Sequence, residues 1–278
     1  MRISPVVSQR VIVTGLWGLA ITTVGILAAI IAYVLVNGLP YVTWEFLTDS
    51  PRSMGREGGV FPMIVGTVYL TALAVLIAAP LGVGTAVYLT EYTREGRLTA
   101  VIRFGADCLA GIPSIIFGLF GFVFFVITMG MGFSLLAGAL TLSLMVLPTI
   151  IRTTEEAIRA VPASYRDVSF GLGATRWQMV TRVVLRSALP GIATGVVLSI
   201  GRAISETAAV MLTAGSGLRM PRSVLDQTRT LSLHFYTLAQ EDISRPNAFA
   251  TASILILSIL GINLLAYWLM RRFIAKVK

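Results

Sequence analysis

The sequence predicts an all-α integral membrane protein with six transmembrane helices. Only 13% of the 278 residues are charged, about half the fraction that is usual in soluble domains, and the mean hydropathy is +0.84. The apolar residues form long continuous runs, whereas a transmembrane β-barrel would show alternating segments of about ten residues. The arginines and lysines are also spread unevenly over the segments between these runs. Together these features indicate a multi-pass helical membrane protein.

The six apolar runs are predicted to span the membrane in chain order. The first follows Arg2 and Arg10 as in a signal peptide, but it is longer than a signal peptide's apolar core and more spans follow, so we interpret it as a retained anchor. Pro80 is expected to interrupt the long second span, and the fourth span is short. The predicted spans are 14–36, 61–90, 103–129, 134–151, 188–213 and 248–270.

The distribution of positive charge predicts a cytosolic N-terminus. With that orientation, the inner segments carry 15 arginines and lysines against five acids, and the outer loops carry six arginines against six acids. Positive residues are enriched on the cytosolic side of membrane proteins. The net charge of +9 is therefore explained by topology. It favours neither nucleic-acid binding nor a strongly attractive outer funnel for anions.

Several catalytic and metal-binding classes are excluded by residue counts. Both lysines lie in the last three residues, so an internal GxxxxGK[ST] phosphate-binding loop is impossible. The single histidine, His234, rules out a histidine-based metal cluster, and the single cysteine rules out an intrachain disulfide. Cys108 is expected to be buried in the third span. If ATP drives this protein, another chain must bind it.

A long inner loop, about 152–187, carries signals for two short helices. Pro162 is expected to end the helix that leaves the membrane. Ser164 is predicted to cap a new helix, with Asp167 completing a capping-box-like pattern. Gly173 suits the left-handed position after that helix. For Asp167, capping favoured by the helix dipole remains an alternative to any role in contacting a partner.

A second helix is predicted to follow the glycine. Thr175 and Gln178 form an S/T-x-x-E/Q box that opens a helix through residues 177–184. The loop thus has the order helix, short helix, glycine, helix, which presents the glycine corner to the cytosol as a projecting knob. Such a knob indicates contact with a soluble partner.

The segment SYRDVSFGLGATRWQMVTRVVLRSALPG resembles the EAA loop of ABC importer permeases. That pattern is roughly EAA, three residues, Gly, nine residues, then I-x-L-P. Here Asp-Val-Ser at 167–169 stands at EAA, Gly173 matches the glycine, and Arg186 replaces the proline. In this family the loop carries a coupling helix that docks in a cleft of the ATPase subunit, and the resemblance implies that role for about 163–175. The coupling residues implied are Ser164, Tyr165, Arg166, Asp167, Gly171, Gly173, Ala174 and Thr175.

Three other segments resemble the phosphate-specific branch of these permeases. They are GTVYLTALAVLIAAPLGVGTAVYLTEY, LAGIPSIIFGLFGFVF and GRAISETAAVMLTAG. The resemblance runs from about residue 58 to the C-terminus, so residues 58–278 are expected to form the permease core and residues 1–57 the N-terminal helix with the first periplasmic loop. Phosphate permeases comprise PstA-type and PstC-type subunits, and ETAAVMLTAG with the compact N-terminus is more similar to the PstA type.

The resemblance implies a type I ABC importer permease fold in the inner membrane of a prokaryote. It implies that the chain is a non-catalytic subunit that forms half of a pathway for inorganic phosphate and binds no cofactor. The implied partners are a second permease of the PstC type, a PstB-type ATPase dimer that binds ATP and Mg on the cytosolic face, and a phosphate-binding protein of the PstS type outside. Membrane lipid surrounds the chain, and nucleic acid is not a partner.

The fifth span carries Arg202 and Glu206, which are predicted to lie one helical turn apart near mid-bilayer, with Glu206 about 6 Å further outward. They lie beside a stripe of small residues that allows close helix approach. A central charge costs roughly 2.5–3.5 kcal/mol on insertion scales, and an i,i+4 pair returns only about 0.2–0.5 kcal/mol. We therefore expect Arg202 to bind the anion and Glu206 to orient it and weaken its field. An internal ion pair that closes the bundle is the alternative. The stripe comprises Gly191, Gly195, Ser199, Ala203 and Thr207.

Two residues of the third span are further pathway candidates. Pro113 is expected to kink the helix and free the carbonyl near Leu109, which Ser114 could bond if it does not line the path. A kink with close packing through Gly111, Gly118 and Gly121 is the plainer interpretation. Asp107 is expected to pair with Arg103 at i,i+4, in either a structural or a gating role.

Other functions remain open at this stage. Within the main class, the alternatives are a permease for another small oxyanion and the PstC-type partner subunit. A self-contained secondary transporter or channel is a different class, and such proteins often have repeated halves with interrupted helices. We find no clear internal repeat in the sequence.

Overall fold

The computed structural model describes residues 5–277, and it confirms the all-α membrane class. Within these residues, five helical stretches are long and apolar enough to cross a membrane, and a bent pair of helices makes a sixth candidate. The straight candidates are Ile12–Tyr41, Phe61–Tyr92, Leu135–Arg159, Arg176–Ile204 and Arg245–Trp268. The bent pair joins Arg97–Gly111 to Ser114–Thr128 at 103°.

The helices follow one another along the chain, and the longest connection, 214–230, joins α10 to α11. In chain order they are α1 (Pro5–Gly38), α2 (Trp44–Thr48), α3 (Phe61–Val87), α4 (Arg97–Gly111), α5 (Ser114–Gly121), α6 (Leu135–Arg159), α7 (Ala163–Gly171), α8 (Arg176–Met179), α9 (Leu185–Ile204), α10 (Ala208–Thr213), α11 (Leu231–Gln240) and α12 (Arg245–Val277). Strands β1 (Pro51–Arg52) and β2 (Glu57–Gly58) form an antiparallel pair after α2. π-helical turns extend α3 to Tyr92 and α5 to Thr128, and another joins α8 to α9 at Val180–Val184.

The core lies between α3 and α6, which pack along their length. Leu70 and Ala74 of α3 are fully buried with Leu142 and Met145 of α6. Gly82 touches α6 so closely that an added Cβ would lie 2.7 Å from a methyl carbon of Ile150. The helix α3 continues through Pro80, so the predicted interruption there is wrong.

Among the residues whose side chains are described, the first helix is held near its C-terminal end. Tyr33 meets Phe249 of α12 edge to face, with ring centroids 5.8 Å apart, and the Ser253 hydroxyl donates to the Val34 carbonyl at 3.2 Å. The rest of the described part of α1 exposes apolar side chains such as Leu19 and Ile26. This exposure suits a helix surrounded by lipid.

The two ends of α6 define the two ends of the molecule. At its C-terminal end the chain passes into α7 and α8, and we call this the α7 end. At its N-terminal end, Leu135 and Leu136 donate backbone hydrogen bonds to the loop at Asp226 and Val224, close to α11, and we call this the α11 end. The inward orientation of the α7 end remains the prediction made from charge.

Cys108 is exposed, not buried as predicted. The helix α4 buries Thr99 and Ala106 and packs mainly on α6, whereas Cys108 projects from its other side. The third predicted span is also not one helix, because α4 ends at Gly111 and α5 begins at Ser114 in a different direction.

Candidate functional site

The fifth span is broken where Arg202 and Glu206 lie. The helix α9 ends at Ile204, residues 205–207 are non-helical, and α10 begins at Ala208. The prediction that both charges lie one turn apart on a continuous helix is therefore wrong. Arg202 lies in the last turn of α9, and Glu206 lies just before α10. Arg202 is also near the end of the Arg176–Ile204 stretch rather than at its centre.

Arg202 has no carboxylate partner among the residues that the structure describes. Its side chain is half-buried, and neither an ion pair nor a side-chain hydrogen bond is formed with Glu206. A cation in the last turn of a helix is favoured by the helix dipole. This position offsets part of the cost of its burial without using any of the five guanidinium donors.

Glu206 instead stabilises the start of α10. Its Oε1 accepts the backbone N–H of Ala209 at 3.2 Å. Its backbone carbonyl accepts the Ser232 hydroxyl of α11 at 2.6 Å. Sequence reasoning missed Ser232, although the Thr230-x-Ser232 pattern before an apolar run is an N-cap signal, and Thr230 does cap α11. The break is thus held in place by a helix at the α11 end.

The stripe of small residues on α9 does make the predicted close contact. An added Cβ at Gly191 would lie 2.5 Å from the Cβ of Ala157, and one at Gly195 would lie 2.8 Å from the Cβ of Thr153. Ser199 is fully buried. The partner of the stripe is α6, so this side of α9 serves helix packing. Thr207 falls outside the helix.

The Gly-Ile-Pro-Ser segment makes a sharp bend rather than a kink. The Leu109 carbonyl accepts the backbone N–H of Ile112 at 3.3 Å, so Ser114 does not bond it, contrary to that expectation. Ser114 is half-buried at the first position of α5. Of the three glycines expected to allow close packing, Gly111 has open space around it. The other two allow close packing as expected. Gly118 contacts Ala209 of α10, and Gly121 contacts Thr141 of α6 and Thr213 of α10.

Asp107 pairs with Arg152 of α6, not with Arg103 as predicted. The Arg152 Nε lies 2.8 Å from Asp107 Oδ1, and each side chain is 51% exposed. Arg152 neighbours the Gly195–Thr153 contact, so this pair lies about 10 Å from Arg202 along α9. The structure therefore separates Asp107 from the helix break. Arg103 bonds Glu155 of α6 at 2.8 Å instead.

The helix α7 begins at Ala163 and follows Pro162 directly. Ser164 lies inside the helix and does not cap it, and Asp167 is an exposed helical residue with no part in a capping box. The predicted box at Ser164 and Asp167 is therefore wrong, because proline itself supplies the helix start with its fixed φ angle. Pro162 does end the preceding helical segment, as predicted.

The glycine corner after α7 has the predicted geometry. Gly173 has φ +80°, its N–H donates to the Phe170 carbonyl at 2.9 Å, and the Ala174 N–H donates to the Ser169 carbonyl at 3.0 Å. This pair of bonds is a Schellman motif. Thr175 and Gln178 cap α8 reciprocally, as predicted.

An arginine clamp, which sequence reasoning missed, fixes α7 to the membrane helices. Arg166 Nη2 lies 2.6 Å from an oxygen of Glu91, whose side chain is only 6% exposed at the end of the α3 stretch. The same guanidinium donates to the carbonyls of Ile158 and Val161 at 3.1 and 2.9 Å. The only signal for Glu91 in the sequence is a carboxylate at the end of an apolar span.

The helix α7 and the turn after it expose four large apolar or aromatic side chains beside the polar Ser164 and Asp167. Tyr165, Val168, Phe170 and Leu172 have between 46% and 83% of their surface accessible. Gly171 is also exposed, as is Thr175, and Ala174 is half-buried. Apolar side chains clustered at the tip of a projecting loop indicate a site for another protein.

The chain is similar to curated permeases over most of its length. It is 33% identical over 276 residues to the probable ABC transporter permease protein YqgI of Bacillus subtilis, covering 92% of this chain and 93% of that protein. It is 32% identical over 223 residues to the phosphate transport system permease protein PstA of Xylella fastidiosa, covering 80% of this chain and 78% of that protein.

Solved ABC importers share the fold. The inward-facing MetNI methionine transporter matches with a TM-score of 0.63 at 20% identity over 75% of this chain and 93% of that chain. A bacterial alginate ABC transporter, in complex with an alginate pentasaccharide-bound periplasmic protein, matches with a TM-score of 0.66 at 16% identity over 96% and 94%. The family model for the binding-protein-dependent transport system inner membrane component matches residues 78–278. The chain therefore belongs to this family and is an ABC importer permease subunit of the cell membrane.

Proposed function

We propose that this permease is the PstA-type subunit of an ATP-driven importer and forms half of the pathway for inorganic phosphate. The observation that carries the proposal is Arg202, half-buried at a helix break and without a carboxylate partner in the described chain. A guanidinium binds phosphate oxygens through paired hydrogen bonds. Interrupted helices line substrate sites in other transporters. The similarity to PstA permeases supports phosphate as the substrate.

Glu206 has the role of limiting how tightly the anion is held. Only Oε1 takes part in the bond to Ala209. The other carboxylate oxygen can accept a hydrogen bond from a protonated phosphate oxygen. Its negative charge opposes that of the anion near Arg202. Transport requires this balance because a site that binds its ion too tightly does not release it. Ser114 and Asp107 are secondary candidates for contacts along the path.

Coupling is proposed to pass through the loop 152–187, with α7 docking on a PstB-type ATPase dimer. The exposed apolar surface of α7 supports such a contact, and the Arg166–Glu91 pair gives it a rigid link to α3. In this proposal the ATPase binds ATP and Mg, the present chain binds no cofactor, and residues 58–278 form the core behind the anchor in 1–57. A PstC-type second permease and a PstS-type binding protein complete the importer.

The test is uptake of ³²P-phosphate by cells that express the whole importer with Arg202→Ala. Uptake is expected to fall to background while the complex still assembles. Arg245→Ala is the matched control, because Arg245 is 82% exposed, and it should leave uptake unchanged. Normal uptake by Arg202→Ala would refute the pathway assignment. If Arg202→Ala abolished the uptake of another oxyanion but not of phosphate, that oxyanion would be the substrate. Phosphate flux through the purified chain alone would refute the proposal that the importer is driven by ATP.

A further inference from the structure

A large cavity at the α11 end is lined by three arginines. It has a volume of about 1070 Å³ and lies between the first loop, at Ser50–Met54, and the loop 216–229. Arg219, Arg222 and Arg229 line it together with a single acid, Asp226. The charge of the lining is therefore three minus one, or +2. The predicted outer loops have no net charge in total, but their positive charge is concentrated at this cavity because their other acids do not line it.

Arg229 is the most unusual of these residues. It is only 5% exposed, and no carboxylate pairs with it in the described part of the chain. Its Nε donates to the Ser216 carbonyl at 3.2 Å, and Nη1 donates to His234 Nδ1 at 3.4 Å. Burial lowers the pKa of Arg229, and Glu241 raises it to a smaller extent without an ion pair. Arginine nevertheless remains charged in proteins, so a buried cation lacks a counterion at this point.

The imidazole beside Arg229 cannot supply negative charge. His234 is 1% exposed, and burial, followed by the charge of Arg229, lowers its pKa to about 3. The ring is therefore neutral at physiological pH. Because arginine can only donate, Nδ1 is the acceptor and the ring proton is assigned to Nε2.

Asp226 forms its hydrogen bonds with backbone groups rather than with the lining guanidinium groups. Its Oδ2 accepts the backbone N–H groups of Arg222 and Ser223, both at 2.8 Å. These bonds hold the carboxylate in its own turn and lower its pKa. Asp226 forms no ion pair with a lining arginine in the described chain, so the guanidinium groups of Arg219 and Arg222 remain accessible to a ligand.

The cavity is connected to the helix break through α11. Arg229 lies three residues before Ser232, and the Ser232 hydroxyl donates to the Glu206 carbonyl. We propose that Arg229, Arg219 and Arg222 form an oxyanion-binding site that receives inorganic phosphate at the mouth of the pathway, before the anion reaches Arg202. The proposal rests on the proposed function. The ligand is a small tetrahedral oxyanion, since a buried guanidinium flanked by two exposed ones offers donors from several directions.

The test measures binding of ³²P-phosphate to the purified importer complex by equilibrium dialysis, without the binding protein. All variants carry Arg202→Ala, so that the pathway arginine contributes nothing. Adding Arg229→Gln is expected to raise the Kd at least about tenfold, since a hydrogen bond to a charged group is lost. Adding Arg219→Gln or Arg222→Gln, both at exposed positions, should weaken binding about threefold each. Arg245→Gln is the control and should not change the Kd.

The outcomes separate this site from the proposed function. Uptake in the wild-type importer tests the function, whereas dialysis in the Arg202→Ala background tests the cavity. An unchanged Kd in all three variants overturns the cavity site, as does complete loss of phosphate binding with Arg202→Ala alone. Unchanged phosphate binding with weaker association of the external binding protein overturns it in favour of a protein-docking surface. If Arg229→Gln prevents assembly, the two exposed variants decide the result.

Discussion

The arginines that join helices at the α7 end are paired with carboxylates, whereas the two least exposed arginines near the α11 end, Arg202 and Arg229, have no carboxylate partner in the described chain. At the α7 end, Arg103 and Arg159 both bond Glu155, at 2.8 and 2.7 Å. Arg166 bonds Glu91 at 2.6 Å. Each of these pairs joins two helices or closes a turn of one. Their donors are used within the chain, so this end is fixed in position.

Arg202 and Arg229 show the opposite arrangement. Both are at least half-buried, and neither has a carboxylate partner among residues 5–277. Burial of a charge without a partner costs free energy, so such residues stabilise the fold less than they would as ion pairs. The difference indicates a division of labour. We propose that the paired arginines fix α7 relative to the membrane helices, and that the positive charges of Arg202 and Arg229, which no carboxylate offsets in the described chain, serve to attract an anion.

The largest expected effect is at the Arg166–Glu91 pair. Glu91→Gln leaves a largely buried arginine without its counterion, which should lower the free energy of unfolding by about 3 kcal/mol. Transport-coupled ATP hydrolysis should fall as well, because α7 loses its link to α3. Thermal unfolding of the detergent-solubilised complex and its ATPase activity are the measurements.

The matched control is Asp242→Asn, which breaks the exposed pair with Arg245. Exposed pairs contribute less than about 1 kcal/mol, so this variant should unfold close to the wild type. Equal losses of unfolding free energy in Glu91→Gln and Asp242→Asn would show that the buried Arg166–Glu91 pair stabilises the fold no more than an exposed pair does.

A smaller effect is expected from pH through His234, which should remain neutral beside Arg229. Its pKa is about 3 in the folded chain, against an ordinary 6.5. Below pH 6.5 the unfolded chain takes up a proton that the folded chain does not, so stability is complete above pH 6.5 and is lost as pH falls toward 3. Between pH 6.5 and 5 the loss is about 2 kcal/mol.

The measurement is the slope of unfolding free energy against pH, compared between wild type and His234→Gln. Between pH 6.5 and 5 the variant should lose about 2 kcal/mol less stability than the wild type, whatever its absolute stability. The same slope in both proteins would mean that His234 is protonated in the fold. A carboxylate would then have to lie close to Arg229, which contradicts the unpaired arrangement.

The smallest effect concerns Glu206 and decides whether Arg202 is truly unpaired. Glu206→Ala removes the acceptor for the Ala209 N–H and should cost about 1 kcal/mol, as loss of a helix cap does. Glu206→Gln keeps an oxygen acceptor and should cost less than about half of that. Thermal unfolding of both variants is the check. A Gln variant as unstable as the Ala variant would show that the negative charge pairs with Arg202.

Local chemistry was sufficient to predict several elements from the sequence. Long apolar runs identified the membrane helices, because every backbone polar group in lipid must be satisfied within a helix. Gly173 and the Thr175–Gln178 box were predicted correctly, since each depends on residues within one or two turns. The small-residue stripe on α9 likewise predicted a close helix contact, though not that α6 would be the partner.

The sequence by itself therefore determined the class, the helical runs and the glycine corner after α7. Only the tertiary structure decided where Arg202, Asp107 and Arg166 find or lack their partners, because those partners lie on other helices. The break at 205–207 is also contacted by a distant residue, Ser232, whose hydroxyl donates to the Glu206 carbonyl. Periodicity extends a helix until a local breaker appears, and no local breaker occurs there. Which helix meets which depends on packing in three dimensions, which residue spacing does not encode.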